Sequence, residues 1–243
     1  VLGPARIDSG AVRASIARGT LQIAQASISA GTTKASAKGR VVLIGKRRGD
    51  IAYNLTSDDI SPWMTLAGRS GGGALQVVGR ASGPFNALTV RGSASMVSLQ
   101  TNGVTIGAGK ITYAFDSIGN NAAHGRLDAG FDSVHTNVDL KSLYVGVDLI
   151  RLRPTDVRIV VDTWDAQKRN QKLAAEIRLK PNVIDLSLTQ LALQMSDGTW
   201  QLLHPATFHK DLRQIIVQNL RLTNEQKQIL IQGQVEFGGA QSV

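Results

Sequence analysis

Few residues in this 243-residue chain have the types and spacing that chemistry at a binding site requires. The segment Ile106-Gly-Ala-Gly-Lys-Ile-Thr112 looks like a phosphate-binding loop. Such a loop needs a glycine five places before Gly109 and a Ser or Thr after the lysine, where this chain has Val104 and Ile111. The residues that follow alternate like a strand and open no helix, so the sequence predicts a β-turn here.

Histidines offer a second candidate site. His204 and His209 lie close together with Asp211 just beyond, and two imidazoles and a carboxylate can bind a divalent metal. The stretch resembles a turn, however, and we interpret these histidines as exposed loop residues. His124 and His135 lie near predicted turns without such a cluster.

The remaining catalytic residue types form no recognisable arrangement. Asp58-Asp59 suits the first turn of a helix, and no serine sits in a Gly-x-Ser-x-Gly elbow. The absence of cysteine excludes disulfides, cysteine-bound zinc and thiol catalysis. Asn54-Leu-Thr56 is a formal glycosylation sequon but ends a predicted strand. The sequence therefore predicts a protein that is not an enzyme and needs no metal or cofactor.

The dominant pattern is instead strict alternation of apolar and polar residues. In Gly109–Phe115 the side chains of Ile111, Tyr113 and Phe115 share one face of an extended chain, and Gly49–Leu55 repeats the pattern sixty residues earlier. Alternation of this kind is typical of a strand with one wet and one apolar face. Similar segments recur along the whole chain and predict about fifteen strands.

These strands indicate an all-β fold with a mainly antiparallel sheet, because a doubly wound α/β sheet buries both faces of its strands. One short helix is expected at residues 57–66, capped by Thr56 or Ser57 and laid against the sheet through Trp63. A weak break is expected near residues 67–73, and a hairpin tip at 165–171. So many strands must twist and curl, which leaves a closed barrel, a sandwich or an open trough as alternatives.

Composition and charge limit the partners. The net charge is +9, and residues 1–49 contain nine basic residues but a single acid, Asp8. That bias suits nucleic acid, lipid head groups or an acidic protein, or else a solvated surface. Because the first fifty residues contain no aromatic side chain to stack on bases, we expect no nucleic-acid partner. No apolar run reaches the roughly 18 residues of a membrane span.

Several stretches resemble the AsmA-like family of bacterial envelope proteins, and its TamB branch most closely. They are Gly49–Leu55 running into Asp58-Asp-Ile-Ser-Pro-Trp63; Gly73–Val77 followed by Gly83-Pro-Phe85 and Leu88–Gly92; Leu193–Leu202 followed by Pro205-Ala206; and Val217–Leu222 followed by Ile229–Gly233. Together they cover most of residues 19–237. Each stretch is degenerate, and their order carries the likeness.

The resemblance implies an elongated open apolar trough (β-taco-like) in the periplasm, as one β-repeat segment, residues 1–243, of a longer protein anchored in the inner membrane outside this segment. It implies that phospholipid acyl chains pass along the trough, and that other parts of the parent chain contact a TamA-like outer-membrane barrel. The alternative function is a scaffold that holds outer-membrane proteins during insertion. A closed, adhesin-like β-sandwich is a third possibility.

The alternating apolar positions are the expected lipid-contacting residues of such a trough. They are Leu21, Ile23, Ile51, Tyr53, Leu55, Leu75, Val77, Ile111, Tyr113, Phe115, Leu127, Phe131, Val138, Leu140, Val145, Val147, Leu149, Val157, Ile159, Val161, Ile177, Leu179, Leu186, Leu188, Leu193, Ile229, Ile231, Val235 and Phe237.

Overall fold

A computed structural model describes residues 7–225 and 227–237, which form one 16-stranded antiparallel sheet and one short helix. The elements are β1 (Ser9–Ala17), β2 (Thr20–Ala30), β3 (Thr33–Val42), β4 (Arg48–Ser57), α1 (Ser61–Leu66), β5 (Gly71–Pro84), β6 (Leu88–Thr101), β7 (Val104–Ile118), β8 (His124–His135), β9 (Asp139–Arg151), β10 (Thr155–Asp165), β11 (Asn170–Lys180), β12 (Val183–Met195), β13 (Gly198–Leu202), β14 (Ala206–Lys210), β15 (Gln214–Thr223) and β16 (Gln228–Glu236). The all-β, antiparallel prediction is confirmed.

The sheet is a meander in which each strand pairs with its neighbours in sequence. The one variation is at β13 and β14, which pair with the two halves of β12 and then both pair with β15. They therefore occupy a single strand position, interrupted at residues 203–205. Within the described residues β1 pairs only with β2 and β16 only with β15, so these two strands form the sheet's edges.

The sheet has little buried core. In residues 7–225 and 227–237 only six hydrophobic residues are buried, and four of them are alanines. They are Ala123, Ala129, Val134, Ala175, Leu188 and Ala206. Substantial contacts between elements link only paired strands, plus α1 with β5. The accessible surface is 15703 Å², whereas a globular protein of this mass has about 10,500 Å². No second sheet packs on the first within this part of the chain, as a β-sandwich would require.

The helix differs in detail from its prediction. It begins at Ser61 with Ile60 as N-cap and has no acidic residue in its first turn, so the expected capping by Thr56 or Ser57 is wrong. Asp59 precedes the helix and accepts hydrogen bonds from the Ser61 backbone N–H (2.8 Å) and hydroxyl (2.7 Å). Pro62 fits because it lies in the first turn, where its missing N–H has no intrahelical partner.

Trp63 fixes the helix to the sheet, as expected. Its indole N–H donates to the Thr33 hydroxyl at 2.7 Å, and that hydroxyl lies 2.7 Å from the Ser57 hydroxyl. All ten residues of β4, before the helical connection, pair with residues 75–84 of β5, after it. The sheet is therefore continuous past residues 67–73. At six residues, α1 is far too short to cross a bilayer, and it is the only helix in the described part of the chain.

Two other local predictions are wrong. The segment Ile106–Thr112 lies inside β7 and is not a turn; the turn before it is at residues 102–103. His209 is not a loop residue but lies in β14, opposite Asp185 of β12. The predicted hairpin tip is confirmed between β10 and β11 at residues 166–169.

Candidate functional site: the apolar sheet face

Strand register brings the predicted lipid-contacting residues into three rows on one face. Directly opposed residues of antiparallel strands point to the same side of the sheet. We name each row after its residue in β4: the Leu55 row, the Tyr53 row and the Ile51 row. Together they define the apolar face, and the opposite side is the polar face.

Every position in these rows is Gly, Ala, Val, Leu, Ile, Phe or Tyr. The Leu55 row is Gly10, Ile28, Ala35, Leu55, Val77, Ala94, Ile111, Ala129, Val145, Val161, Leu173 and Leu191. The Tyr53 row is Val12, Ala26, Ala37, Tyr53, Gly79, Gly92, Tyr113, Leu127, Val147, Ile159, Ala175, Leu188 and Ala206. The Ile51 row is Ala14, Ile23, Gly39, Ile51, Ala81, Val90, Phe115, Gly125, Leu149, Val157, Ile177, Leu186, Phe208, Val217 and Gly233. At about 4.8 Å per strand, the Ile51 row runs roughly 65 Å along the sheet.

Most of the other predicted residues lie on this face at the ends of the same strands. Leu21, Leu75, Phe131, Leu179 and Leu193 each stand two residues from a row member. In β16, Ile229, Ile231 and Val235 share the face of Gly233 and are exposed.

Three predicted positions are not regular members of the rows. Val138 lies in the turn before β9, and Phe237 follows β16, where its N–H donates to the Arg213 carbonyl. Leu140 lies opposite Val134 on one side and, past a bulge, opposite Asp165 on the other.

Sequence reasoning missed the small residues and glycines of the rows and also Phe208. Many of them could have been found by counting Ala and Gly as apolar when every second residue of a strand is examined. Such a count would not have placed them opposite one another, because register depends on irregularities such as those at Ser98 and Ser133, which have positive φ.

Four aromatic side chains of the apolar face each oppose a glycine. Tyr53 pairs with Gly79, Tyr113 with Gly92, Phe131 with Gly109 and Phe115 with Gly125. A Cβ at any of these glycines would overlap the opposing ring or its hydroxyl. The rings therefore lie across the neighbouring strand and fill the space that the glycines leave. This arrangement keeps large side chains close to the sheet surface.

Tyr53 and Tyr113 meet above the two glycines between them. Their hydroxyls are 2.7 Å apart, with either able to donate. Burial, with a smaller contribution from this hydrogen bond, raises the pKa of Tyr113 to about 12. Tyr113 is therefore neutral at ordinary pH, and the two hydroxyls are the only polar side-chain atoms in the three rows.

Two hollows lie over opposite ends of the apolar face. One, of about 570 Å³, is lined by residues of β1–β4 that include Val12, Ile28, Tyr53 and Leu55. The other, of about 310 Å³, is lined wholly by apolar residues of β10–β14, including Ile159, Leu188 and Phe208. Volumes of this size are in the range that ligand sites occupy.

The polar face carries the charges. Arg158 lies 2.8 Å from Glu176, Arg178 lies 2.8 Å from Asp156, and further pairs link neighbouring strands. Hydrogen bonds from the arginines hold the pKa of Asp156 below its ordinary value. Exposed pairs of this kind contribute at most about 1 kcal/mol each to stability.

His209 belongs to this polar network. Its Nδ1 lies 2.7 Å from Asp185 and its Nε2 3.4 Å from Asp211, and these two carboxylates raise the pKa of His209. His204 lies in the link before β14. In the part of the chain that the structure describes, no group of three or more His, Cys, Asp or Glu side chains is placed to hold a metal ion.

Comparisons with known proteins supply no identity. No family model, no curated protein and no solved structure matches the chain. The resemblance to AsmA-like proteins therefore stays a prediction, and function has to be argued from the apolar face.

Proposed function

We propose that this chain is a non-enzymatic conduit for phospholipid acyl chains, which slide along the apolar face. The observation that carries the proposal is the combination of three uninterrupted apolar rows with the lack of any covering layer over them in residues 7–225 and 227–237. Soluble proteins rarely expose apolar patches larger than a few hundred Å² unless the patch binds something.

Acyl chains fit this surface for physical reasons. Each methylene group that leaves water for the apolar face contributes about 0.8 kcal/mol to the binding free energy. Because no directional bond is involved, this contribution does not fix the acyl chain at one position. Because no row position carries a full charge, a chain can move from strand to strand without displacing water from an ionised group. The flat aromatic rings over Gly79, Gly92, Gly109 and Gly125 leave a smooth surface.

The proposal includes an open trough. A twisted antiparallel sheet of 16 strands curls, and curling toward the apolar face would shield acyl chains on three sides while head groups stay in water. Such a trough would serve as a bridge segment across the periplasm within a longer, inner-membrane-anchored protein. That location follows from the resemblance to AsmA-like proteins.

A matched pair of substitutions tests the conduit. Ile159 and Val160 are adjacent in β10, with Ile159 in the Tyr53 row and Val160 on the polar face opposite Gly146 and Ala174. We expect phospholipid to be extracted from the purified protein by organic solvent and identified by mass spectrometry. Ile159→Asp should remove most of it, because an ionised carboxylate interrupts the apolar path, whereas Val160→Asp should retain it.

Two results would contradict the conduit. The first is purified protein that contains no lipid, in a preparation in which detergent has not replaced the lipid. Equal lipid content in folded Ile159→Asp and Val160→Asp proteins would show that the lipid binds elsewhere. Circular dichroism of both variants verifies that the sheet is retained.

The exposed edges favour a second function, a scaffold for outer-membrane proteins during insertion. All nine residues of β1 and all nine of β16 are exposed, so each edge offers backbone groups to an incoming strand. Photocrosslinkers at Val12 and Ile159 distinguish the two functions. Capture of lipid at Ile159 supports the conduit, and capture of unfolded outer-membrane protein at Val12 supports the scaffold.

A further inference from the structure

Cations and exposed apolar side chains meet at one corner of the sheet. Three turns lie side by side there: residues 18–19 between β1 and β2, residues 43–47 between β3 and β4, and residues 85–87 between β5 and β6. We call this the basic corner. Its members are Arg18, Leu43, Ile44, Lys46, Arg47, Arg48 and Phe85.

Backbone contacts hold the three turns together. The Leu43 N–H donates to the Gly19 carbonyl at 2.8 Å, and the Phe85 N–H donates to the Arg47 carbonyl at 3.4 Å. The Ile44 side chain lies against Gly19, where a Cβ would be 2.8 Å from its Cδ1 atom. The corner is therefore one surface built from the ends of six strands, β1 to β6.

The corner's cations have no acidic partner in the part of the chain that the structure describes. Among the described residues, Arg18, Lys46, Arg47 and Arg48 form no ion pair. The only acid in β1–β4 is Asp50, which is held by Arg80 at 2.5 Å. Asp8 lies at the far end of β2, where it accepts the Gly31 N–H at 2.6 Å. Elsewhere on the sheet, arginines such as Arg158 and Arg178 face carboxylates.

Apolar side chains project between these cations. Ile44 is 74% exposed and Phe85 is 45% exposed. Isolated exposed apolar residues are ordinary, but Ile44 lies in the same turn as cations that form no ion pair with any described residue. The Phe85 N–H donates to the backbone of that turn, at the Arg47 carbonyl. A surface that presents cations around protruding aliphatic and aromatic groups matches the boundary of an anionic bilayer, where head-group phosphates surround the acyl region.

We infer that the basic corner docks on the surface of a membrane containing anionic phospholipids, with Ile44 and Phe85 inserted at head-group depth and Arg18, Lys46, Arg47 and Arg48 among the phosphates. The inference is independent of the conduit, since a docking corner needs no acyl path. Nucleic acid and acidic protein would engage the cations but have no use for Ile44.

The lack of cysteine in the chain makes a site-specific test possible. An environment-sensitive fluorophore is attached to Ile44→Cys and, as the matched control, to Thr32→Cys at the opposite end of β3. Vesicles of phosphatidylcholine alone are compared with vesicles of equal parts phosphatidylcholine and phosphatidylglycerol. We expect a blue shift and increased emission for the Ile44 label on the anionic vesicles only, and no change for the Thr32 label.

Charge variants measured by vesicle sedimentation separate docking from general attraction. Lys46→Gln/Arg47→Gln/Arg48→Gln should lower affinity for the anionic vesicles by roughly 100-fold. Lys141→Gln/Lys168→Gln/Lys172→Gln has the same net charge and should lower it by less than about 3-fold. Ile44→Asn, which changes no charge, should also weaken binding.

Three results would overturn the inference: equal binding to neutral and anionic vesicles, equal losses in the two triple variants, or sedimentation without any change at the Ile44 label. Binding of short duplex DNA, with vesicles left unbound, would assign the cations to nucleic acid instead. Circular dichroism spectra that match the parent protein exclude unfolding as the cause of a loss.

Discussion

The hydroxyls of Tyr53 and Tyr113 lie 2.7 Å apart although two complete strands, β5 and β6, separate the strands that carry them. The contact is possible because Gly79 and Gly92 stand in the same row and present no side chain. It ties four strands together across an otherwise apolar surface.

A double-mutant cycle should measure the interaction energy between the Tyr53 and Tyr113 hydroxyls. Tyr113→Phe removes the hydrogen bond and should lower the free energy of unfolding by about 1 kcal/mol. Adding Tyr53→Phe should cost little more, because the interaction is already lost. Urea unfolding gives the values. Tyr144, which bonds Asp128 on the polar face, supplies the control: Tyr144→Phe and Tyr53→Phe should be additive. Additivity of the Tyr53 and Tyr113 variants would show that the hydroxyl contact does not contribute.

The glycines beneath the rings should resist enlargement. Gly79→Ala and Gly92→Ala should each lower the free energy of unfolding by roughly 1–3 kcal/mol, because the new methyl group overlaps the opposing Tyr hydroxyl and a neighbouring carbonyl. Gly130 is also inside a strand, but nothing lies within 4 Å of its added Cβ. Gly130→Ala should therefore be neutral or stabilising. Equal effects at Gly79 and Gly130 would contradict the close ring–glycine packing. Thermal unfolding measures all three.

The cross-strand ion pairs should contribute little. Arg158→Gln removes the 2.8 Å pair with Glu176, and both side chains are about half exposed. The free energy of unfolding should fall by less than about 1 kcal/mol, and the difference should disappear in roughly 1 M salt. A larger effect that persists in salt would point to packing of the Arg158 side chain instead.

His209 should make stability depend on pH in a defined direction. Asp185 and Asp211 raise its pKa in the folded protein above the ordinary value. The stabilisation is therefore fully present below the unfolded pKa of about 6.5 and is lost as pH rises through the folded pKa. The urea midpoint of His209→Gln should fall below the parent value at pH 5 and approach it at pH 9, each midpoint being read at constant ionic strength. A difference that grows toward alkaline pH would contradict this pairing.

The alternation of apolar and polar residues along the chain was enough to predict the fold class. Each strand contacts little beyond its neighbouring strands, so no tertiary packing overrides the local strand preference. The same reasoning grouped Ile111, Tyr113 and Phe115 correctly on one face. It misread Gly107 and Gly109, since glycine was taken as a turn former. In the structure Gly109 lies within β7, and the Phe131 ring occupies the space that a side chain at position 109 would fill.

The lateral arrangement could not be predicted from the sequence. Whether Tyr53 and Tyr113 share a row depends on the pairing of three intervening strand interfaces, and a single-residue slip at any of them would move one tyrosine to the polar face. His209 was misplaced for a similar reason: a five-residue strand between Pro205 and Asp211 is too short for alternation to be visible. The basic corner was visible as a charge bias, but the approach of Phe85 to Arg47 was not.

The meander has a consequence for how such a protein changes length. Since every strand after the first pairs with the one added before it, apart from the β13–β14 position, insertion or deletion of one hairpin leaves the contacts on either side intact. Stability is then set by nearest neighbours, as in repeat proteins, and the sheet can be lengthened or shortened by whole hairpins. The length of the sheet can therefore change in evolution without repacking of a core, because the described residues bury only a small one.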